Sequence, residues 1–119
     1  MSPEQELIRV VRRDDIVQVD LLMPMLIGDH AIERLAEDVA RIIDAETIPR
    51  IVMNFEHVKY ISSMMLGTLI ALYNRVKARD GQFRLAALRE RHQRLLELVR
   101  LDGVFEVHPT AEEAAASIK

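Results

Sequence analysis

Arg50-Ile-Val-Met-Asn-Phe-Glu-His-Val-Lys-Tyr-Ile-Ser-Ser-Met-Met-Leu-Gly67 is the stretch on which the fold turns. It opens with a short, nearly continuous apolar run, Arg50 to Phe55. A strand that lacks polar alternation reads as covered on both faces, the mark of a central parallel strand. A loop, Glu56 to Ser62, follows. From Ser63 to about Ala78 the apolar residues fall at helical spacing. Met65, Leu69, Leu72 and Val76 form one stripe, which Leu66, Ile70 and Tyr73 broaden. Asp80-Gly81 is the stop signal.

The same strand-to-helix hand-over recurs on either side. Upstream, Leu7 to Val11 and Ile16 to Met23 read as two strands joined by the turn Arg12-Arg13-Asp14-Asp15, so an antiparallel hairpin is expected. Pro24 to Gly28 reads as a loop, and Asp29 as the cap of a helix from about His30 to Ala45. Ile32, Leu35, Val39, Ile42 and Ile43 mark that helix's inner face. Downstream, Phe83 to Leu88 is a strand, and Glu90 to Leu101 a helix with Leu95, Leu98, Val99 and Leu101 facing inward. Val104 to Val107 is a last strand. Thr110 caps a terminal helix, with Glu113 at capping-box spacing. The order β-β-α-β-α-β-α-β-α predicts an α/β layer fold: a mixed, mostly parallel sheet with an N-terminal hairpin at one side, packed against about four helices. No linker, repeat or low-complexity tract interrupts it, so residues 1–119 read as a single domain.

Composition narrows the function. The chain has 119 residues, half of them hydrophobic, enough for a core without metals or cross-links. It has no cysteine, so thiolate chemistry and disulfides are excluded. Sixteen basic and 19 acidic residues give a net charge of −3, which lacks the clustered positive charge that nucleic-acid binding favours. The N-terminal Met1–Glu6 stretch is polar and acidic, unlike a signal peptide. No apolar run approaches the ~20 residues that span a bilayer, so no transmembrane segment is expected. These features suit a cytoplasmic protein.

Motifs for chemistry are sparse. His30, His57, His92 and His108 show no metal-ligand spacing and read as surface or loop residues. The scattered Gly28, Gly67, Gly81 and Gly103 form no phosphate-binding loop, so no cofactor is expected. Asp14-Asp15 has the look of a phospho-acceptor pocket, but a strand follows where such a fold needs a helix, and a polar hairpin turn is the plainer reading. Ser62-Ser63 is the site of interest. At the start of a helix, one of the two serines is expected to be an N-cap whose oxygen accepts a backbone N–H. A nucleophilic role for Ser63 lacks the Gly-x-Ser-x-Gly frame, and no base is designated.

The segment Ile51 to Gly67 resembles the core motif of STAS domains of the anti-sigma-factor-antagonist type: an apolar strand, a short loop, then Asp-Ser-Ser/Thr-Gly-Leu-Gly opening a helix. Leu26-Ile27-Gly28-Asp29 is similar to the family's Gly-x-x-Asp region. Gly81-Gln-Phe-Arg-Leu85 and Leu101-Asp-Gly-Val-Phe105 match two further family segments, in order and with matching spacing. Leu66 and Gly67 match the motif. Ser62 stands in place of its Asp, Asn54 in place of the acid ending the strand, and Met64 and Met65 in place of its second Ser/Thr and first Gly.

The resemblance implies a regulatory protein and not an enzyme. Its partner would be an anti-sigma factor that is also a serine kinase, and a metal-dependent serine phosphatase would reset it. The phospho-acceptor falls on Ser63, with Ser62 the alternative. The partner is expected on a patch made from the Leu26–Asp29 loop, the Glu56–Ser62 loop and the first turn of the following helix, with Gly28, Asp29, Tyr60, Ser62, Ser63, Met64 and Gly67 as its binding residues. Loops after parallel strands are where open α/β sheets place ligands, and a helix N-terminus offers free N–H groups. Met64 is open between interface and core, whereas Met65 reads as core. Gly67 either admits another backbone or packs on the domain's own sheet. Two other readings stand beside this one: a phosphorylation-independent STAS scaffold in a stressosome-like or lipid-transport complex, and a small enzyme using Ser63. The oligomeric state is expected to be a monomer or weak dimer.

Overall fold

A computed structural model describes residues 7–119, and the Met1–Glu6 reading lies outside them. The chain runs β1 (Ile8–Arg13), β2 (Ile16–Leu21), β3 (Met25–Leu26), α1 (Asp29–Asp44), β4 (Arg50–Asn54), β5 (Tyr60–Ile61), α2 (Ser63–Lys77), β6 (Gln82–Ala86), α3 (Glu90–Leu98), β7 (Glu106–His108) and α4 (Ala111–Ala116). Five strands form one sheet in the order β1-β2-β4-β6-β7. Only β1 and β2 are antiparallel; each other neighbouring pair is parallel. The strand expected to be central is central. Every residue from Ile51 to Phe55 is buried, as the unbroken apolar run requires.

The hairpin closes on two residues, not four. Arg13 pairs with Ile16, and Asp14 sits at φ 56, a left-handed conformation that Asp tolerates better than most residues. The connections after β2 and β4 are also not plain loops. Each contains a two-residue strand, and these pair with one another as a separate parallel ribbon, β3–β5.

Side-chain alternation divides the main sheet into two unlike faces. Val17, Val19, Leu21, Ile51, Met53, Phe55, Phe83 and Leu85 join the large core with α1, α2 and part of α3. Val52 and Ala86 face Ala111, Ala114 and Ala115 of α4 in a second, small core. Tyr73, Phe83 and Phe105 extend the large core as an aromatic group, with Tyr73–Phe105 ring centres 5.5 Å apart and nearly perpendicular. Gly81 is held by close packing: a Cβ there would lie 2.1 Å from the Pro49 carbonyl oxygen.

Several local expectations are corrected. Gly28, not Asp29, occupies the N-cap of α1, and Asp29 is its first helical residue, where a carboxylate complements the helix dipole. Helix α3 stops at Leu98. Val99 departs from helical geometry, and Arg100 adopts φ 61. The fully buried residues of α3 are His92 and Leu96, four residues apart; Leu95 and Leu101 pack partly buried against the large core as expected, while Leu98 is 80% exposed and Val99 47%. His92 is only 2% exposed, so it is not a surface histidine. The last strand starts two residues later than expected, because the backbone turns at Leu101, whose carbonyl accepts from Val104 and Phe105. Thr110 does cap α4, its Oγ1 accepting the Glu113 N–H at 3.1 Å.

Candidate functional site

The parallel strands β2, β4, β6 and β7 all run towards one end of the sheet, and the helix N-termini gather there. The ribbon joins two of these hand-overs. Lys59 and Tyr60 donate backbone N–H groups to the Pro24 carbonyl (2.7 and 3.1 Å), and Ser62 donates to the Leu26 carbonyl (3.0 Å). Gly28 and Ser62, the N-caps of α1 and α2, leave neighbouring strands of one ribbon, and the two helices then pack against each other.

Ser62 is extended (φ −98, ψ 169), as an N-cap should be, and its carbonyl accepts from Met65 at 3.0 Å. The expected side-chain cap is not formed. The Ser62 hydroxyl oxygen is buried with no hydrogen-bond partner among the described residues. Ser63, the first helical residue, is exposed. Met64 is half-buried against the large core, and Met65 is fully buried within it. Gly67 is exposed, and a Cβ there would meet nothing within 4 Å, so packing on the domain's own sheet is not what keeps a glycine there. Gly28 and Asp29 are likewise exposed. Tyr60, half exposed, carries the Arg91 guanidinium 4.6 Å from its ring centre.

Charge distinguishes α2 from the other helices. Asp29 lies in the first turn of α1, Glu90 in that of α3, and Glu112 and Glu113 in that of α4. The first turn of α2 carries no acid, so the partial positive charge of its N-terminus is uncompensated from within the helix.

A second polar cluster, on the α4 side of the sheet, was not evident in the sequence. Asp20, 2% exposed, accepts from Arg9 through Nε and Nη2 (3.1 and 2.9 Å), and from the amides of Gln18 and Asn54 (both 2.8 Å). Arg13 Nε donates to the Gln18 oxygen, and Asn54 Oδ1 accepts from the Glu56 backbone. Burial on its own raises the Asp20 carboxyl. Hydrogen bonds from Gln18, Asn54 and Arg9, with the Arg9 charge, outweigh burial and hold it below its ordinary value. A shallow cavity of about 190 Å³ adjoins the cluster beside Thr110 and Glu112. Both Asp20 oxygens are already engaged, so the cluster is built to satisfy itself. The signal for it was the pair Gln18 and Asp20 at alternate positions of β2, one face of a strand.

No hydrogen bond among the described residues joins the side chain of Ser62 or Ser63 to a histidine or carboxylate. His92 Nε2 is committed to the Lys59 carbonyl at 3.1 Å, and His108 to Glu106. No group of His, Asp and Glu among the described residues is placed to hold a metal ion. No helix of the described residues is long and apolar enough to cross a membrane.

Residues 8–114 match the STAS domain family. An anti-sigma-factor antagonist (STAS) domain protein from Planctomyces limnophilus superposes with a TM-score of 0.81 at 17% identity, covering 92% of this chain and 96% of the other. The Bacillus cell fate determinant SpoIIAA in its phosphorylated form gives 0.70 at 21% identity, with 92% and 96% covered. A murine Solute Carrier 26 family anion transporter gives 0.66 at 14% identity, covering 86% of this chain and 17% of the transporter. The fold is thus shared by small regulators and by one part of a membrane transporter.

Proposed function

The chain belongs to the STAS domain family, and from that premise we propose that it acts as a single-domain binding switch, docking an anti-sigma factor with serine-kinase activity over the N-terminus of α2 and releasing it when Ser63 is phosphorylated. The observation that carries this reading is the setting of Ser63. It is exposed, it is the first residue of α2, and α2 is the helix whose first turn holds no carboxylate. A phosphate there adds ~1.5–2 negative charges beside free N–H groups and the positive end of a 15-residue helix. The domain tolerates that charge without refolding. A partner packed on exposed Gly67, half-buried Met64 and the Gly28–Asp29 corner meets it as a new anion in the contact. A metal-dependent serine phosphatase would restore the unmodified form, and the cytoplasm is the compartment that holds such partners.

One observation favours a phosphorylation-independent scaffold as the second reading. Ser62 replaces the family's acidic residue, and its hydroxyl is buried, so no carboxylate stands next to the acceptor for a kinase to read. A single experiment separates the two. A partner recovered by pull-down from native cells is incubated with the chain and ATP, and the product is mapped by mass spectrometry. The switch requires one phosphate on Ser63, its loss in Ser63→Ala, and dissociation of the phosphorylated chain with an unchanged far-UV spectrum. A partner that binds tightly and leaves Ser63 unmodified, with Ser63→Asp binding as well as wild type, hands the function to the scaffold.

A further inference from the structure

On the outer side of the ribbon, β5 and α3 leave a groove of about 280 Å³ between them. Tyr60 and Ile61 form one wall, and His92, Leu95 and Leu98 the other. Unlike the cavity beside Asp20, this one is mostly apolar. Leu98 is 80% exposed at the very end of α3, and Tyr60 is 46% exposed. Met25 sits across the ladder from Tyr60, on the same side, and is half exposed. Large apolar side chains gathered round a concavity on an otherwise charged surface mark an interaction site.

The rim is cationic. Arg91 and Arg94 line the groove and no carboxylate does, in a chain whose net charge is −3. Arg94 reaches Glu90 at 2.7 Å, but both are exposed, and a pair of that kind is worth little. Arg91 lies over the Tyr60 ring and makes no ion pair among the described residues. The wall also holds an unmet polar atom. His92 Nε2 engages the Lys59 carbonyl, which makes it the donor nitrogen and leaves buried Nδ1 as an acceptor without a donor. Burial keeps this imidazole neutral by lowering its pKa.

We propose that this groove is a docking site for an acidic amphipathic segment of another protein, one apolar side chain seated between Tyr60 and Leu98 and flanking carboxylates on Arg91 and Arg94. Charge chooses the occupant. A second copy docked groove to groove about a two-fold axis would bring two arginine-bearing rims of like charge together. An acidic segment instead desolvates guanidiniums suited to forked carboxylate contacts. Tyr60 links the groove to the corner at Ser63, yet nothing in the groove's chemistry depends on phosphorylation.

The test is a selection of random dodecapeptides displayed on phage, with the full chain as bait, followed by fluorescence anisotropy on synthesised winners. Enriched peptides are expected to carry an apolar residue flanked by Asp or Glu, and to bind more weakly as salt rises. Leu98→Asp and Arg91→Glu, both exposed and leaving the thermal transition in place, should each weaken binding about tenfold or more, whereas Ser63→Asp should leave it unchanged. Enrichment of basic or uncharged peptides, equal binding by Leu98→Asp, or no enrichment at all overturns the proposal. So does a dimer in sedimentation that Leu98→Asp dissolves, which would assign the groove to a second copy. Peptides sensitive to Ser63→Asp but not to Leu98→Asp would refute the groove while leaving the switch intact.

Discussion

Val17, Val19 and Leu21 of β2 face α1 and α2; Gln18 and Asp20, the residues between them, face α4. The same division runs through β4, with Ile51 and Met53 on one side and Val52 and Asn54 on the other. One side buries large branched and aromatic groups under two long helices. The other meets a six-residue helix of mostly alanine, and where that helix ends, the sheet fills its remaining surface with a closed set of hydrogen bonds. A short helix brings too little apolar surface to cover five strands, so polar residues cover the remainder. They are stable there only because each is paired.

The difference can be broken from either side. Phe55→Ala on the helix-rich face removes a fully buried ring and should cost about 3–5 kcal/mol in denaturant unfolding. A loss under 1 kcal/mol would mean that the large core does not carry the stability. Asn54→Asp on the other face keeps the size but replaces a donor with a second carboxylate against Asp20. It should cost about 1–3 kcal/mol at neutral pH.

That deficit depends on acidity in a direction that follows from Asp20. In the wild type its lowered pKa contributes stability above the ordinary value of 3.8, and that contribution fades as pH falls through the folded value. In Asn54→Asp the two carboxylates repel, one pKa rises, and protonation relieves the strain. The gap between wild type and variant should therefore narrow from neutral pH towards about pH 4, and a gap that widens would show that the amide is not the donor drawn here. The smallest effect sharpens the contrast. Thr110→Ala removes the hydrogen bond that caps α4 and should cost about 1 kcal/mol, with the Asp20 cluster intact.

The two faces were not equally legible. The apolar run Ile51 to Phe55 and the stripe Met65, Leu69, Leu72, Val76 state their positions through periodicity, which is strong when a segment is long and buried. The central place of the strand Arg50 to Phe55 followed from that run, and the mostly parallel direction from the alternation of strands with helices. Periodicity misplaces Leu98 and Val99 at the end of helix α3, because Leu95, Leu98, Val99 and Leu101 look like one stripe only if the helix continues to Leu101. It stops at Leu98; Leu95 and Leu101 still pack on the core, but the fully buried pair, His92 and Leu96, includes a residue that no apolar pattern counts. Strands of two residues, such as Met25–Leu26 and Tyr60–Ile61, have no period to detect. At the candidate site the serines announced a helix start, and the burial of one hydroxyl beside the exposure of the next is set by tertiary packing alone.

The small β3–β5 ribbon has a mechanical consequence. Two loops that would otherwise fluctuate independently share the Pro24 and Leu26 carbonyls as anchor points, so neither helix start can peel away without loosening the other. Amide protons of Lys59, Tyr60 and Ser62 should then show one common opening free energy in hydrogen exchange, as a single opening event. Such a clasp holds Gly28 and Ser63 in fixed relation whatever their chemical state. Under the proposed switch, a charge placed at Ser63 would meet a docking partner without any need to reshape the molecule.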